Sequence, residues 1–559
     1  MSVPGGELIG RELREGDPAD RDARLAKLSP FELKAALLDV AAASAARNHL
    51  PLLDAGRGNP NWVAARPREA FFLLGQFAMR EARTTWNEGI LVGQPKRAGV
   101  SERLAAFLEY HHDDPGARLL DRIVVHGIDR GFDPDAWVHE LVDGIIGDHY
   151  PGPDRMLVHA EEIVKEYLVD ELCGGVDPGS FDLFAVEGGT AAMCYVFDSL
   201  TTNGLLDRGD RVALMVPAFT PYLEIPRLDR YGFDVLELQA TAVRPSGELT
   251  GQYLDTEIDR LADPSVKALF VINPTNPGSV MLAPGTVNRL AEVVIEDNPE
   301  LIIVSDDVYS TFVPEFRSLL ADLPRNTIGV YSFSKYFGCT GWRLGVIALA
   351  KDNVIDDRLQ RADNEDRDAL HRRYETITTD PTSLPFIDRM VADSRQVALN
   401  HTAGLSVPQQ VQMTLFAGAA LVDTEDIYRS RTREIVNHRL GNLYRGLGLD
   451  LPADPLRAGY YAELDLLHWA RTRYEPAFAE WLVATRHPLD PLFHLADEDA
   501  IVLLNGGGFE GPEWSVRVSL ANLPDEAYLR IGAELATVFD GFQDEYRATL
   551  ADAAGDPPA

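Results

Sequence analysis

The sequence predicts an α/β fold, in which helices cover both faces of a mostly parallel sheet, joined to a smaller α+β domain. Between residues 150 and 395, six short apolar runs end in Gly, Pro, Asn or Ser and alternate with helical stretches. Such runs are typical of strands buried on both faces of a parallel sheet. From about residue 405, helices alternate with further strands, which indicates the second domain. The six runs are DLFAVEGG, RVALMVPAF, KALFVINP, LIIVSDDV, TIGVYSFS and LGVIALA.

Four segments follow from this pattern. Residues 1–26 are polar and rich in Gly, Asp and Arg, so we expect a disordered arm or a contact with another subunit. Residues 27–149 are predicted to form the helical part of the smaller domain, with extra helices. Residues 150–395 are predicted to form the large domain that holds the functional site. Residues 396–559 are predicted to form the rest of the smaller domain, with the strands YYAELDL, IVLLNGG and WSVRVSL.

Helix signals are clearest before residue 149. The stretch SPFELKAALLDVAAASAARN predicts a helix that begins with a capping box, in which Ser29 and Glu32 satisfy each other's backbone N–H groups. FFLLGQFAMREA and SERLAAFLEYHH have the apolar periodicity of amphipathic helices.

Composition excludes several classes of function. The formal net charge of −35 would repel nucleic acid and anionic membranes, so neither is expected as a partner. No apolar stretch reaches the length of a membrane span, and charges stand where a signal peptide has its apolar centre, so we expect a cytoplasmic protein. The three cysteines form no CxxC pair, which fits a reducing compartment, and we expect no metal ion.

The strongest chemical signal is YSFSKYFGCTGWRLG, which follows a predicted strand and contains Lys335, one of only seven lysines. A lysine amine attacks an aldehyde only when it is unprotonated, so it needs a dry, partly cationic pocket that lowers its pKa. Arg343 lies eight residues further on, and the hydroxyls of Ser332 and Ser334 can bind a phosphate.

This stretch resembles the cofactor-lysine segment of the fold-type-I pyridoxal-5′-phosphate (PLP) enzymes, above all the aspartate aminotransferase group. The resemblance implies a large domain with a mostly parallel seven-stranded sheet. It also implies that PLP is the cofactor and that Lys335 is the catalytic residue, which carries PLP as a Schiff base. In that reading, Ser332, Ser334 and Arg343 contribute to cofactor binding.

Other segments match the same family in the same order along the chain. In NPTNPG, the resemblance assigns Asn273 to the cofactor's phenolic oxygen. In SDDVYSTF, it assigns Asp306 to the pyridine nitrogen, where a carboxylate keeps the ring able to accept electrons, and Tyr309 to the phenolic oxygen. In PAFTPY, Phe219 matches the aromatic residue that stacks on the ring.

The remaining matches concern the phosphate and the substrate. In VEGGTAAM, Gly189 and Thr190 match the phosphate cup at the start of a helix. Tyr150, in DHYPGP, matches a tyrosine that reaches the phosphate of the neighbouring subunit, which implies a homodimer as the minimal unit. Arg517, in WSVRVSL, matches the arginine that binds the substrate α-carboxylate through two hydrogen bonds.

Several strings are more specific and resemble the bacterial aspartate 4-decarboxylases (aspartate β-decarboxylases) over nearly the whole chain. They include LSPFELK, AGRGNPNW, FAVEGGTAAM, YSFSKYFGCTGWRLGV and SLANL. The resemblance implies conversion of L-aspartate to L-alanine and CO2, a minor aspartate aminotransferase activity, and assemblies up to a dodecamer.

The β-carboxylate of aspartate poses a binding problem, because it must leave as neutral CO2. A tight bidentate arginine would stabilise the charged ground state, and only interactions that persist in the transition state accelerate the reaction. We therefore expect a looser cation there. Arg57, in AGRGNPNW, is the first candidate, and Lys34, on the capped helix, is the second.

Two alternatives remain at the level of sequence. A plain aspartate or aromatic aminotransferase would share every cofactor residue. A non-catalytic aminotransferase-like sensor attached to DNA is the more remote alternative, because the chain has no visible helix-turn-helix or basic segment.

Overall fold

The computed structural model describes residues 30–243, 250–361, 364–395 and 404–555. The predicted arm at residues 1–26 and the capping residue Ser29 lie outside the described residues. The strands are β1 (Leu53–Asp54), β2 (Phe181–Val186), β3 (Arg211–Val216), β4 (Asp234–Gln239), β5 (Val266–Ile272), β6 (Ile302–Asp306), β7 (Thr327–Ser332), β8 (Gly345–Ala350), β9 (Tyr461–Asp465), β10 (Ile501–Val502), β11 (Leu504–Asn505) and β12 (Ser515–Ser519).

Helices occupy much of the remaining described chain. The first seven are α1 (Pro30–Asn48), α2 (Ala65–Thr85), α3 (Val100–Tyr110), α4 (Pro115–Asp129), α5 (Pro134–Ile146), α6 (Val158–Leu172) and α7 (Gly189–Thr202). The next seven are α8 (Thr220–Glu224), α9 (Asp255–Ile258), α10 (Pro284–Glu296), α11 (Leu319–Asp322), α12 (Val354–Gln360), α13 (Asn364–Tyr374) and α14 (Phe386–Asp393). The last are α15 (Val407–Leu421), α16 (Ile427–Leu447), α17 (Leu466–Arg473), α18 (Pro476–Thr485), α19 (Asp490–Asp499) and α20 (Asp525–Gly555).

The large sheet has seven strands in the order β2-β8-β7-β6-β5-β3-β4. Only β8 is antiparallel to its neighbours, β2 and β7, and the other pairs are parallel. The predicted mostly parallel seven-stranded sheet is confirmed. The strand absent from the apolar runs is β4, an edge strand whose side chains are mostly only partly buried, so its sequence DVLELQ carries a weaker signal.

Alternate residues along the central strands enter two hydrophobic cores, one on each face of the sheet. In β5, Ala268 and Phe270 pack with α6 and α7, whereas Leu269 and Val271 pack with α10 on the other face. Both faces of the sheet are therefore covered, which is why these strands have no polar alternation.

The smaller domain has a three-stranded antiparallel sheet, β11-β12-β9, and a core of its own. Helix α1 contributes Leu37 and Val40 to that core, and β1 pairs with β10, so the start of the described chain packs on its C-terminal part. Helices α2–α5, which the sequence assigned to the smaller domain, instead bury their apolar faces in the core of the large sheet. No described helix is both long and apolar enough to cross a bilayer.

The segment after β1 clamps the loop that carries Lys335. The indole of Trp62 donates to the carbonyl of Tyr336 at 3.0 Å, and the Arg68 guanidinium donates to the carbonyl of Gly338 at 2.7 Å. Gly338 has φ of 57°, and a Cβ there would lie 1.9 Å from the Trp62 carbonyl oxygen. Only glycine fits this contact between the two segments.

Gly338→Ala should therefore lower the free energy of unfolding by about 2 kcal/mol or more, because it adds left-handed strain and a backbone clash. Urea unfolding measures the change. Gly341→Ala is the matched control, since nothing lies within 4 Å of its added Cβ, and it should stay within about 0.5 kcal/mol. Equal losses in the two variants would contradict this packing.

Candidate active site

A cavity of about 960 Å³ lies where the central strands of the large sheet end and the smaller domain begins. In parallel α/β sheets, this edge is where ligands bind. Most of the residues singled out from the sequence line this one cavity. They are Lys34, Arg57, Gly189, Thr190, Phe219, Asp306, Tyr309, Ser332, Ser334, Lys335, Arg343 and Arg517.

Lys335 lies three residues after the end of β7 and is partly buried. Its ammonium donates to the carbonyl of Gly58 at 3.1 Å. The Phe333 ring stacks with the rings of Phe337 and Tyr167, which anchors the backbone on both sides of the lysine. The aromatic pattern around Lys335 therefore fixes the chain while the amine faces the cavity.

Asp306 ends β6 and is buried. One carboxylate oxygen accepts from the Tyr222 hydroxyl, and the other accepts from the backbone N–H of Val308 at 3.1 Å. Burial raises the pKa of Asp306 to about 6, although both hydrogen bonds and Lys335 act in the opposite direction. A cationic group beside this carboxylate would relieve the cost of its burial.

The structure corrects the assignment of Asn273. Its side-chain oxygen accepts from the backbone N–H of Leu282 at 2.9 Å, and the residue does not line the cavity. Asn276, three residues later, lines the cavity, donates to the Tyr309 hydroxyl at 3.5 Å and accepts from Arg517 at 3.0 Å. The asparagine beside Tyr309 is thus the second one of NPTNPG.

Arg517 lies on β12 and is only 4% exposed. Its guanidinium donates to Asn276 and to the carbonyl of Gly56 at 3.0 Å, and it packs between the rings of Tyr461 and Phe509. Its Nε is buried without a hydrogen-bond partner. Among the described residues no carboxylate forms an ion pair with Arg517, although Glu463, its cross-strand partner on β9, interacts with it electrostatically.

One end of the cavity presents several groups suited to a phosphate. Helix α7 begins at Gly189 and directs free backbone N–H groups to this point. The Ser332 hydroxyl donates to that of Ser334 at 3.0 Å. Arg343, with φ of 56°, bonds to the carbonyls of Glu187 and Thr340. These polar groups surround the start of α7.

The close approach of Arg343 explains why a glycine, Gly188, precedes α7. A Cβ on Gly188, which has φ of 88°, would lie 2.6 Å from the Arg343 guanidinium. The Arg343 guanidinium thus occupies the space that a side chain at residue 188 would need.

Tyr150 does not line the cavity and is 65% exposed. Phe219 lines the wall beside Thr220 and Tyr222. The expected contact of Tyr150 with another subunit stays a prediction.

The two cations predicted for the distal carboxylate occupy the same wall. Lys34, on α1, donates to the Gly56 carbonyl at 3.3 Å. Burial lowers the pKa of Lys34, Arg517 and Arg57 lower it further, and Asp54 opposes them. Arg57 is exposed at the cavity rim. The two side chains thus differ in burial.

Residues 185–533 match the family described as "Aminotransferase class I and II". The chain belongs to the class I and II aminotransferases. A bifunctional aspartate aminotransferase and L-aspartate beta-decarboxylase from Pseudomonas sp is 47% identical over 528 residues, which is 94% of this chain and 98% of the relative. An aspartate aminotransferase from Sulfolobus acidocaldarius is 32% identical over 28% of this chain and 38% of its own.

Solved aminotransferases have the same fold. A double mutant of Thermus thermophilus aspartate aminotransferase has a TM-score of 0.56 at 18% identity, over 92% of this chain and 97% of its own. An aromatic aminotransferase from Pyrococcus horikoshii has a TM-score of 0.54 at 17% identity, over 88% and 96%. Aminotransferases of this class depend on PLP.

Besides Asn276, two more residues of this site were not predicted from the sequence. Tyr222 bonds to Asp306, and only its place three residues after Phe219 in PAFTPY hinted at it. Tyr461 contacts both Tyr309 and Arg517, but the apolar strand YYAELDL gave no sign of a site.

The raised pKa of Asp306 predicts that the free energy of unfolding of the cofactor-free protein depends on pH. Its folded pKa lies above the unfolded value of 3.8, so the stability from the neutral carboxyl is complete below about pH 4 and is lost as the pH rises through about 6. The Asp306→Asn variant lacks this ionisable group, so its free energy of unfolding should not fall in this way. Between about pH 4 and about pH 8, the free energy of unfolding of the variant should therefore rise by roughly 2 to 3 kcal/mol relative to that of the parent.

Urea unfolding of both proteins at the two pH values measures this difference. Asp113→Asn, at an exposed carboxylate, should show almost none. A gap between Asp306→Asn and the parent that does not change with pH would contradict the buried-carboxylate account.

Proposed function

We propose that this chain is a PLP-dependent enzyme that converts L-aspartate to L-alanine and CO2, with aspartate aminotransferase as a secondary activity. The observation that carries the proposal is a cluster of cations in one cavity, where buried Arg517 and Lys34 both donate to the Gly56 carbonyl and Arg57 is the next residue along the chain. That arrangement suits a small dicarboxylate. The printed activity of the Pseudomonas relative, which matches nearly the full length of this chain, supports the same substrate.

The residues present fit PLP. Lys335 offers an amine to the aldehyde, and the buried Asp306 suits a cationic ring nitrogen. Tyr309 and Asn276 would hold the phenolic oxygen, and Phe219 would lie against the ring. The phosphate would bind to Gly189, Thr190, Ser332, Ser334 and Arg343, together with Tyr150 of the partner subunit.

When bound, the cofactor supplies an aldehyde that forms a bond with the substrate amine and a ring that accepts electrons. Lys335 removes the Cα proton as general base and later returns a proton to the same carbon. Asp306 would hold a proton on the ring nitrogen, because the cationic nitrogen offsets the cost of burying the carboxylate. Tyr222 keeps that carboxylate oriented through its hydrogen bond.

Arg517 binds the α-carboxylate, which pairs with its buried guanidinium. Because Asn276, Gly56 and two rings fix its guanidinium in advance, little side-chain entropy is lost on binding. The distal carboxylate then points toward Arg57 and Lys34. The exposed Arg57 is the looser of the two, which suits a group that must lose its charge as CO2 departs.

A homodimer is the proposed minimal assembly, because Tyr150 lies outside its own cavity and is exposed. A dodecamer remains the larger assembly that the sequence resemblance predicts. The sensor alternative is disfavoured, because Lys335, Asp306 and Arg517 are all present around one cavity or at its floor.

L-Aspartate given without any keto acid separates decarboxylase from plain aminotransferase. The decarboxylase should release CO2 and alanine over many turnovers, whereas an aminotransferase stops after one turnover per site. Headspace CO2 and amino-acid analysis measure both products. Lys335→Ala should lower the rate by at least about 10³-fold, and Lys351→Ala, at an exposed lysine, should not. A single turnover in the parent enzyme would overturn the decarboxylase proposal.

Arg57→Ala should raise the KM for aspartate by about tenfold or shift the ratio of alanine to oxaloacetate, because it removes the loose cation at the β-carboxylate. Steady-state kinetics and product analysis give both values. Arg66→Ala is the matched control, since Arg66 is exposed and outside the cavity. Parent-like kinetics and product ratio in Arg57→Ala would exclude Arg57 from the mechanism.

A further inference from the structure

Tyr461 is a buried tyrosine at the centre of the site with no role in the proposed chemistry so far. It begins β9, beside the strand that carries Arg517, and its hydroxyl lies 3.1 Å from that of Tyr309. A Cβ on Gly58 would lie 2.6 Å from this hydroxyl and 3.4 Å from the Lys335 ammonium. The phenol and the lysine therefore face the same small space.

The ring of Tyr461 fixes the carboxylate-binding arginine. The Arg517 guanidinium carbon lies 4.4 Å from the centre of the Tyr461 ring and 4.8 Å from that of Phe509. A guanidinium over an aromatic face is attracted by the ring's quadrupole, more strongly when both are buried. With Asn276 and Gly56 binding the N–H groups, the rings complete the orientation of the guanidinium.

The hydroxyl of Tyr461 has mostly cationic surroundings, contributed by several elements. Burial alone would raise the pKa of Tyr461, but Lys335, Arg517, the Tyr309 hydrogen bond and Lys34 together hold it below its ordinary value. By contrast, the pKa of the adjacent Tyr460 is raised well above its ordinary value by burial and Tyr461. The titratable and charged groups around Tyr461 are thus Lys34, Tyr309, Lys335, Tyr460 and Arg517, with Glu463 further along its own strand.

We propose that Tyr461 is a positioning residue for anionic substrates, whose ring orients Arg517 and whose hydroxyl, by ionising, sets the upper pH limit for carboxylate binding. A phenolate here cancels part of the positive charge of Arg517 and Lys34, so a dicarboxylate binds more weakly. The inference deepens the proposed function, on which its choice of ligand class rests, and names a residue that controls this binding.

Two substitutions separate the ring from the hydroxyl. Tyr461→Phe keeps the ring, and Tyr461→Leu removes both. Calorimetric titration of the purified full-length protein with succinate, a dicarboxylate that cannot react, gives the affinity without turnover. At about pH 7, Tyr461→Leu should bind succinate about 3- to 10-fold more weakly, and Tyr461→Phe should stay within about twofold of the parent.

The pH profile tests the hydroxyl. Between about pH 7 and about pH 9.5, parent affinity should fall as Tyr461 ionises, and the fall in Tyr461→Phe should be at least about threefold smaller. Tyr460→Phe, whose hydroxyl donates to the Gly58 carbonyl, is the matched control and should keep the parent's pH profile.

Parallel pH profiles of the parent and Tyr461→Phe would overturn the inference, and this variant decides the question even if Tyr461→Leu fails to fold. Succinate binds without reacting, so this experiment tests the role of Tyr461 separately from the proposed decarboxylation. A protein that binds succinate as expected but releases no CO2 from aspartate would refute decarboxylation and support the role of Tyr461.

Discussion

The site depends on a buried arginine, Arg517, which forms no ion pair with any described residue and is left with a hydrogen-bonding group unused. Arg517 is held by an asparagine side chain, a backbone carbonyl and two aromatic rings, and none of these carries a negative charge. A buried charge without a counter-ion is costly. The fold tolerates this cost because Arg517 is anchored on the central strand of the small sheet, and an incoming carboxylate removes it.

The other groups around the cavity are placed by the order of the strands. Asp306 ends β6, and Asn276 and Lys335 come shortly after the neighbouring parallel strands β5 and β7, so all three lie at the edge that the carboxyl ends of these strands share. The loop at Gly56 and Gly58 comes from a distant part of the sequence and supplies carbonyls to Lys34, Lys335 and Arg517. A mainly cationic site thus sits between two cores, with Asp306 as its buried acid.

Some residues of the site could be predicted from the sequence and others could not. The sequence singled out Lys335, Asp306 and Arg517 because their segments resemble those of the aspartate aminotransferase group, and the structure brings all three to one cavity. The choice between Asn273 and Asn276 failed because both precede proline, and only the path of the loop decides which side chain enters the cavity. Tyr461 lies in an apolar strand and carries no motif. Helices α2–α5 pack on the large domain through contacts between residues that are far apart in the sequence, and hydrophobic periodicity does not predict such contacts.

The most direct test of the account is the effect of succinate on the thermal unfolding of the parent protein and of Arg517→Leu. A ligand that binds only the folded state raises the unfolding midpoint, and at a fixed ligand concentration the rise grows with the logarithm of the affinity. The parent should be stabilised by succinate and much less by propionate, while Arg517→Leu should gain almost nothing from either. Equal stabilisation of Arg517→Leu and the parent by succinate would show that the buried arginine does not bind the substrate carboxylate.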